Sequence, residues 1–550
     1  MTVDPKRIVD RYEQVKASRG NWESHWQTVA DVVWPEAGQF TGSVTQGTRV
    51  NQRVFDATAT LALENFAAAL FSIMMPAGQR WHRLRVADSR IADDPAVREW
   101  CETVVDILFA ERERRGSGFY AAQHDAFKSE GAFGTSLTMI DEALEGEGAQ
   151  TRMGIRYQPV PLAQASILVD HAGNLEAVYR CRPMSVWAIK SRWRERTPER
   201  IEKDFSQGKY AQEYDVLHVV QPRARDERLG FGAMRYPWAS AEILLTDKVL
   251  IAESGYHEMP YVLGRYAVNP RETYGRSPAM MVLPDILTLQ EQEKTHLRAA
   301  HKVVDPTMLL ASDGPIGRGG RRINLNPGGA NYGWVDDQGR PKATPLQSGA
   351  RLDVSLEVQD RRRATIQGAF LVNLFNILTQ QPYLSATEAL IRDHEKGQLL
   401  APYAWRQQSD KVGATIHREL GLLGRQNRLP PAPPAIAEIG YEVEYDSPAS
   451  QGVKAQRALA VTRWFETMAP ILTNDPTELQ RLDPQYVSRM VADAHGLPGA
   501  AFRDDETFEK IAEAVRKQQA VAQMAAAAPG LGQSVKALAE AEATSKEAAA

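Results

Sequence analysis

The sequence predicts an α+β protein, mainly α, on three observations. Apolar residues at helical spacing, with caps and proline stops, fill the stretches before about residue 143 and after about residue 277. Short β-type runs separated by turn residues cluster between Gly154 and Val268. The 49 residues from Asp305 to Asp353 hold nine Gly and five Pro, which marks a loop-rich insertion between two helices.

Taken in order, the first helix carries Val29, Val32 and Val33 with a Trp22/Trp26 pair and stops at Pro35. A polar loop from Phe40 to Phe55 follows. Asp56 then stands at an N-cap position before ATATLALENFAAALFSIMMP, a helix that stops at Pro76. The spacing predicts a third helical zone from about Pro95 to Ala143, in which ERERR at Glu111 to Arg115 reads as a solvated face. ILVD and LEAVYRC around the turn HAGN, then VLHVV, ILL, VLIAES and YVLGRYAV, read as strands and hairpins.

Helix signals return at SPAMMVLPDILTLQEQEKTHLRAAHKVV, residues 277–304, where Ile286, Leu289, Leu297, Ala300 and Val304 lie near one stripe. Its residues from Ala279 onwards would extend about 39 Å if continuous, with Pro284 as a kink or restart. A second long helix begins near Val354. A third opens on the capping box of Ser385 and Glu388 and runs past Pro402 towards Arg428. The alternation of Tyr441, Val443 and Tyr445 predicts a strand, and LDPQYVSRMVADAHGLP a helix. Asp504, Asp505 and Glu506 read as a helix N-terminus, and from Gln518 the chain is Ala-rich, a frayed helix or a disordered tail.

Composition removes several function classes. The chain has 550 residues, 43% of them hydrophobic, and a formal net charge of −4, so it lacks the basic excess of a dedicated nucleic-acid binder. Cys101 and Cys181 alone make no disulfide framework or thiolate cluster, which suits a reducing compartment. The charged stretch from Met1 to Gly20 does not read as a secretory signal. GPIGRGGRR lacks the Lys-Ser/Thr of a phosphate-binding loop, GFGAMR lacks the third Gly of a dinucleotide fingerprint, and the eleven His have no ligand spacing. No catalytic constellation, cofactor site or metal site is expected.

Residues 364–387, ATIQGAFLVNLFNILTQQPYLSAT, contain no Asp, Glu, Lys or Arg, whereas a chain that is 24% charged should place about six there. Gln367, Asn373, Asn376, Gln380, Gln381 and Pro382 exclude a membrane span, because unpaired polar groups are costly in hydrocarbon. Two readings stay open: a buried helix followed by a polar loop, or a surface that stays wet yet grips nothing ionic. Lys294, Arg298 and Lys302, spaced four apart, share one helix face with His301 beside them. Such a stripe is ordinarily solvated. Further clusters at Arg318, Arg321 and Arg322, and at Arg361 to Arg363, make a phosphate-facing role worth weighing against that.

The order of segments resembles the portal, or head-to-tail connector, proteins of short-tailed bacteriophages. NWESHWQTVADVVWPEAGQF, FDATATLALENFAAALFSIMMPAGQRWHRL, YGRSPAMMVLPDILTLQEQ, LSATEALIRDHEK, LPPAPP and YEVEYDSPAS carry the similarity, from about Arg11 to Lys517. The resemblance implies a non-enzymatic dodecameric ring at one capsid vertex, assembled in the host cytoplasm. The genome would be packaged through it by the terminase motor and later ejected. Its implied partners are double-stranded DNA, the terminase large subunit, the major capsid and scaffold proteins and tail adaptor proteins, with no membrane. The implied parts are N-terminal helices and wing (1–276), first stem helix (277–304), clip (305–353), second stem helix (354–375), channel loop (376–384), long wing helix (385–430), C-terminal wing and crown (431–517) and an Ala-rich tail (518–550). In that scheme Lys294, Arg298, Lys302, Gln380, Gln381 and Tyr383 face DNA, and Arg318, Arg321 and Arg322 serve docking of motor and adaptor. A channel lined by amides touches a duplex without the ion pairing that would brake its passage.

Overall fold

The computed structural model describes residues 4–42, 47–86, 94–145, 152–224, 232–310, 330–346, 352–372, 402–434, 440–445, 458–469, 482–494 and 505–527, with a few single positions between. The chain divides into two compact units. The first comprises Met1–His82, Asp106–Leu429 and Tyr445–Ala449; the second comprises Arg83–Val105, Pro430–Glu444 and Ser450–Ala550.

The first unit opens with α1 (Pro5–Ser18), whose N-cap Asp4 accepts from the Lys6 amide, and α2 (Gly20–Val33). On α2 Trp26 is fully buried and donates its indole N–H to the Phe133 carbonyl at 3.1 Å, so the expected aromatic anchor is real. α3 (Thr58–Met74) starts one residue later than expected, with Ala57 at the cap position. Asp56 therefore lies one residue before the cap, where its Oδ1 still accepts from the Thr58 amide at 2.8 Å and satisfies the first free amide of the helix. β1 (His82–Arg85) follows and pairs with a late strand of the chain. The third helical zone is two helices, α4 (Pro95–Glu113) and α5 (Phe119–Phe133).

The zone ends sooner than its periodicity predicts, because Thr135–Glu145 is a strand, β2, where helix was expected. Gly134 at φ 75° stops α5, and a Cβ there would lie 2.2 Å from the Gly275 carbonyl oxygen. Beyond it β2 pairs on both sides, with β3 (Arg152–Pro159) in a hairpin and with a later strand, and these two ladders override local preference. β4 (Ala165–Val169), β5 (Leu175–Ser185), β6 (Glu213–Pro222), β7 (Trp238–Leu244) and β8 (Val249–Tyr256) form an antiparallel meander in chain order. Period-2 alternation gives this sheet two apolar faces. Ala177, Tyr179, Leu217, Val219, Ala241 and Ile243 pack under Ile8, Val9, Tyr12 and Val15 of α1. On the other face Val216, Leu244 and Ile251 pack with Val186, Ile189 and Ile201, carried by α6 (Val186–Trp193) and α7 (Glu199–Ser206). β9 (Tyr261–Arg265) joins β2 and completes the smaller sheet.

The long segment from 277 is split into α8 (Pro278–Met281) and α9 (Leu283–Val304), with Pro284 in the first turn of α9, so the proline restarts the helix. Two short strands, β10 (Met308–Leu310) and β11 (Ala343–Pro345), pair in the glycine-rich insertion. α10 (Leu352–Ala369) is the second long helix. Among the described residues helix is next found at 402–407, passes through a π-helical stretch at Gln408–Val412 and continues as α11 (Gly413–Arg425). The capping box at Ser385 lies outside the described residues.

In the second unit β1 pairs with β12 (Glu442–Tyr445), the strand expected from its alternation. Trp100 donates its indole N–H to the Pro430 carbonyl at 3.0 Å. Helix also occupies 458–469, α12 (Pro484–Ala494) and α13 (Asp505–Ala527). Asp505 and Glu506 open α13, as their position before a helical run predicts.

Candidate functional site

The helix pair α9 and α10, with the insertion between them, holds most of the described residues to which sequence reasoning gave a role. The first half of α9 is buried through Leu283, Ile286, Leu289 and Gln290. Leu297 and Val304, expected on the same stripe, are 45% and 84% exposed. The stripe is therefore only half covered by its own chain.

Gln290 latches α9 to the start of α3. Its Oε1 accepts from the Phe55 amide at 2.6 Å and the Asp56 amide at 2.9 Å, and its Nε2 donates to the Asp56 carbonyl at 2.8 Å. Arg363 of α10 completes the latch. It donates to Asp56 Oδ2 at 2.9 Å, to Asp360 at 2.7 Å and to Glu293 of α9. Burial alone would raise the Asp56 carboxyl, but bonds from Thr58 and Arg363 outweigh it and hold it below the usual carboxylate range. Arg362 pairs with Asp285 at 2.6 Å, and exposed Arg361 with Glu357 at 2.6 Å. Of the arginines weighed for phosphate, these three are thus engaged with carboxylates of their own chain.

The α9 stripe differs. Lys294 donates to Glu291 at 2.8 Å and sits 5.8 Å from the centre of the Phe55 ring. Arg298 and Lys302 are exposed and meet no carboxylate among the described residues, and His301 is exposed beside them. The stripe is a solvent-facing row with two uncommitted cations. In the insertion Asp336 Oδ1 accepts from the Gln338 and Arg340 amides at 3.0 and 2.7 Å, and Trp334 is buried. Leu309, Leu310, Val335 and Leu346 stay 41–54% exposed, and Tyr332 79%. Arg318, Arg321 and Arg322, and Gln380, Gln381 and Tyr383, lie outside the described residues.

Buried charge centres escaped the sequence reading, and two of them bear on the helices around the site. ERERR is not a solvated face: Glu111 and Arg112 are 2% and 1% exposed. Arg112 donates twice to Glu419 of α11, at 3.0 and 2.5 Å, and its guanidinium lies 4.8 Å from the Trp81 ring centre. Only the tertiary partner distinguishes such an arginine from a surface one. The second centre is Glu130 of α5, whose carboxylate accepts from Ser136 Oγ at 2.6 Å, Tyr403 Oη at 2.7 Å, Gln407 Nε2 at 2.7 Å and Lys411 Nζ at 3.2 Å. A signal was available, because Tyr403, Gln407 and Lys411 are donors spaced four apart.

Among the described residues no group of three or more His, Cys, Asp or Glu is placed to hold a metal ion. No helix of theirs is long and apolar enough to cross a membrane. The site is a helix pair latched at one end, with exposed apolar side chains towards the other and two cations that meet no carboxylate among the described residues.

Residues 5–502 match the family described as bacteriophage head to tail connecting protein. The chain belongs to that family. Its function is that of a phage portal, a virion component linking head and tail, which implies capsid and tail partners. Two relatives match this connector nearly end to end. The probable portal protein of Bordetella phage BPP-1 is 24% identical over 529 residues, covering 95% of this chain and 93% of the relative. The portal protein of Salmonella phage epsilon15 is 24% identical over 549 residues, covering 98% and 96%.

Proposed function

We propose that this connector assembles as a dodecameric ring at one capsid vertex, and that double-stranded DNA passes through its bore during packaging by the terminase motor and during ejection. The observation that carries the proposal is the half-covered helix pair. α9 and α10 are fastened at the Asp56–Arg363 latch, yet Leu297, Val303, Val304 and Leu356 remain exposed. A different face of a neighbouring copy is the economical cover for such side chains, and head-to-tail contacts closed into a ring satisfy every copy alike.

In this reading 277–304 and 354–375 are stem helices, 305–353 is the clip, 376–384 the channel loop and 385–430 the long wing helix. Residues 1–276 and 431–517 make wing and crown, and 518–550 a tail. Arg298 and Lys302, with Lys294, offset phosphate repulsion along the bore, while Gln380, Gln381 and Tyr383 touch the duplex without ion pairing. Arg318, Arg321 and Arg322 dock motor and tail adaptor. Scaffold protein joins during assembly in the host cytoplasm.

The test is native mass together with negative-stain imaging of the purified chain, alone and with scaffold. Twelve-fold rings with an open bore are expected. A monomer or dimer under both conditions would overturn the ring reading.

A further inference from the structure

The helix that follows residue 401 contains one residue too many. At Gln408–Val412 the backbone is π-helical, and the Gly413 amide bonds to the Gln408 carbonyl, five residues back instead of four. A π-bulge accommodates a surplus residue inside an α-helix and is intrinsically less favourable than the α form. The surroundings hold it in place. Tyr445 Oη donates to the same Gln408 carbonyl at 3.0 Å. Gly413 has no Cβ, which would otherwise lie 3.2 Å from that carbonyl oxygen. Lys411, inside the bulge, reaches the Glu130 carboxylate and lies 3.9 Å from the Phe127 ring centre.

Glu130 also grips the helix on the N-terminal side of the bulge, through Tyr403 and Gln407. Closing the bulge to α geometry, with α11 fixed, moves every residue before it by one helical position, about 1.5 Å along the axis and 100° around it. Gln408 then takes the position of Gln407, and Ala404 that of Tyr403. The carboxylate keeps an amide donor and loses the phenol. Gln407 is itself only half satisfied, since its buried Oε1 accepts no hydrogen bond among the described residues.

We propose that Gln408–Val412 is a two-register joint, held in its bulged register by Glu130, Tyr403 and Lys411, which lets the chain enter this helix at two depths. The consecutive pair Gln407 and Gln408 keeps the Glu130 carboxylate bonded to an amide in either register. The joint itself rests on the local geometry alone; its use during DNA passage rests on the channel reading above.

Deletion of Ser409 removes the surplus residue and leaves Tyr403 and Gln407 in their present positions relative to α11. The full-length variant is expected to fold and assemble like the parent, whereas deletion of Thr415 from the regular part of the same helix is expected to abolish soluble protein. Hydrogen exchange read at the amides of 408–413 should be at least about tenfold slower in the Ser409 deletion than in the parent, and faster than the parent in Tyr403→Phe. Packaging in phage carrying the deletion should slow severalfold. An unfolded Ser409 deletion, or exchange equal to the parent's, overturns the joint. Slower exchange with unchanged packaging overturns its use in DNA passage. If the parent forms no ring, the channel reading fails and the exchange comparison alone decides the joint.

Discussion

Arg112 and Glu419 form a two-pronged ion pair with side chains 0% and 1% exposed, joining α4 to α11 across 307 positions of sequence. Tyr157 donates to the same carboxylate, and His82 Nε2 lies 2.6 Å from the guanidinium. Burial and the charge of Arg112 together hold the His82 imidazole well below its ordinary value, so it is neutral. Glu419→Gln strands a buried guanidinium. The expected cost is about 3–5 kcal/mol, read as a lower denaturant midpoint with unchanged slope. A loss of less than about 1 kcal/mol would mean that the pair contributes little and packing alone holds α11.

Two nearby arginines of α10, Arg361 and Arg363, should behave unequally. Arg363→Ala removes bonds to Asp56, Asp360 and Glu293 and leaves Asp56 buried and Glu293 partly buried without that cation. A loss of about 2–3 kcal/mol is expected, with faster proteolysis near residue 57. Arg361→Ala, whose partner Glu357 is 70% exposed, should cost under about 0.5 kcal/mol. Equal losses in the two variants would rule out the latch.

Arg298 and Lys302 are expected to contribute nothing to folding, since neither meets a carboxylate among the described residues. Arg298→Gln with Lys302→Gln should leave the melting temperature unchanged and weaken retention of duplex DNA in low salt, with a shallower salt dependence. A drop in melting temperature with unchanged DNA retention would reassign the stripe to contacts between copies.

His218 is buried, 2.6 Å from Tyr261 Oη and 3.0 Å from Ser240 Oγ, and burial pushes its imidazole down to about 4. The folded value lies below the unfolded one, so the unfolded chain takes up the proton first as pH falls. Stability from the neutral ring is therefore complete above about pH 6.5 and is lost towards pH 4, by up to about 3 kcal/mol. Denaturant midpoints across that window should fall less steeply in His218→Gln than in the parent.

Gly264 opens the space in which Glu130 is bonded. A Cβ there would lie 2.4 Å from Glu130 Oε1 and 2.5 Å from Ser136 Oγ, and both of those residues are buried. Gly264→Ala is expected to cost about 2–4 kcal/mol and to expose the helix at 402–412 to protease. Unaltered stability would show that the network relaxes freely.

Legibility followed the range of the forces involved. The meander β4 to β8, the restart at Pro284 and, to within one residue, the start of α3 beside Asp56 were readable, because side-chain alternation, a missing amide and a short carboxylate act over a few residues. β2 was misread as helix, since pairing decides it on both sides: β3 follows six residues later, but β9 comes from a stretch more than a hundred residues away. Of the candidate site, the α9 stripe at Lys294, Arg298 and Lys302 was legible from spacing alone.

The sequence by itself determined the class of fold, the order of its segments and the family, because local periodicity and segment order are written along one dimension. The tertiary structure decided which charges are spent inside the molecule. ERERR and Arg361–Arg363 look alike as strings of charge, yet Arg112 is buried on Glu419, Arg363 is held by three carboxylates and Arg361 stands in solvent. An ion's value depends on its desolvation and on a partner within a few ångströms, and both are set by chain that lies far away in sequence.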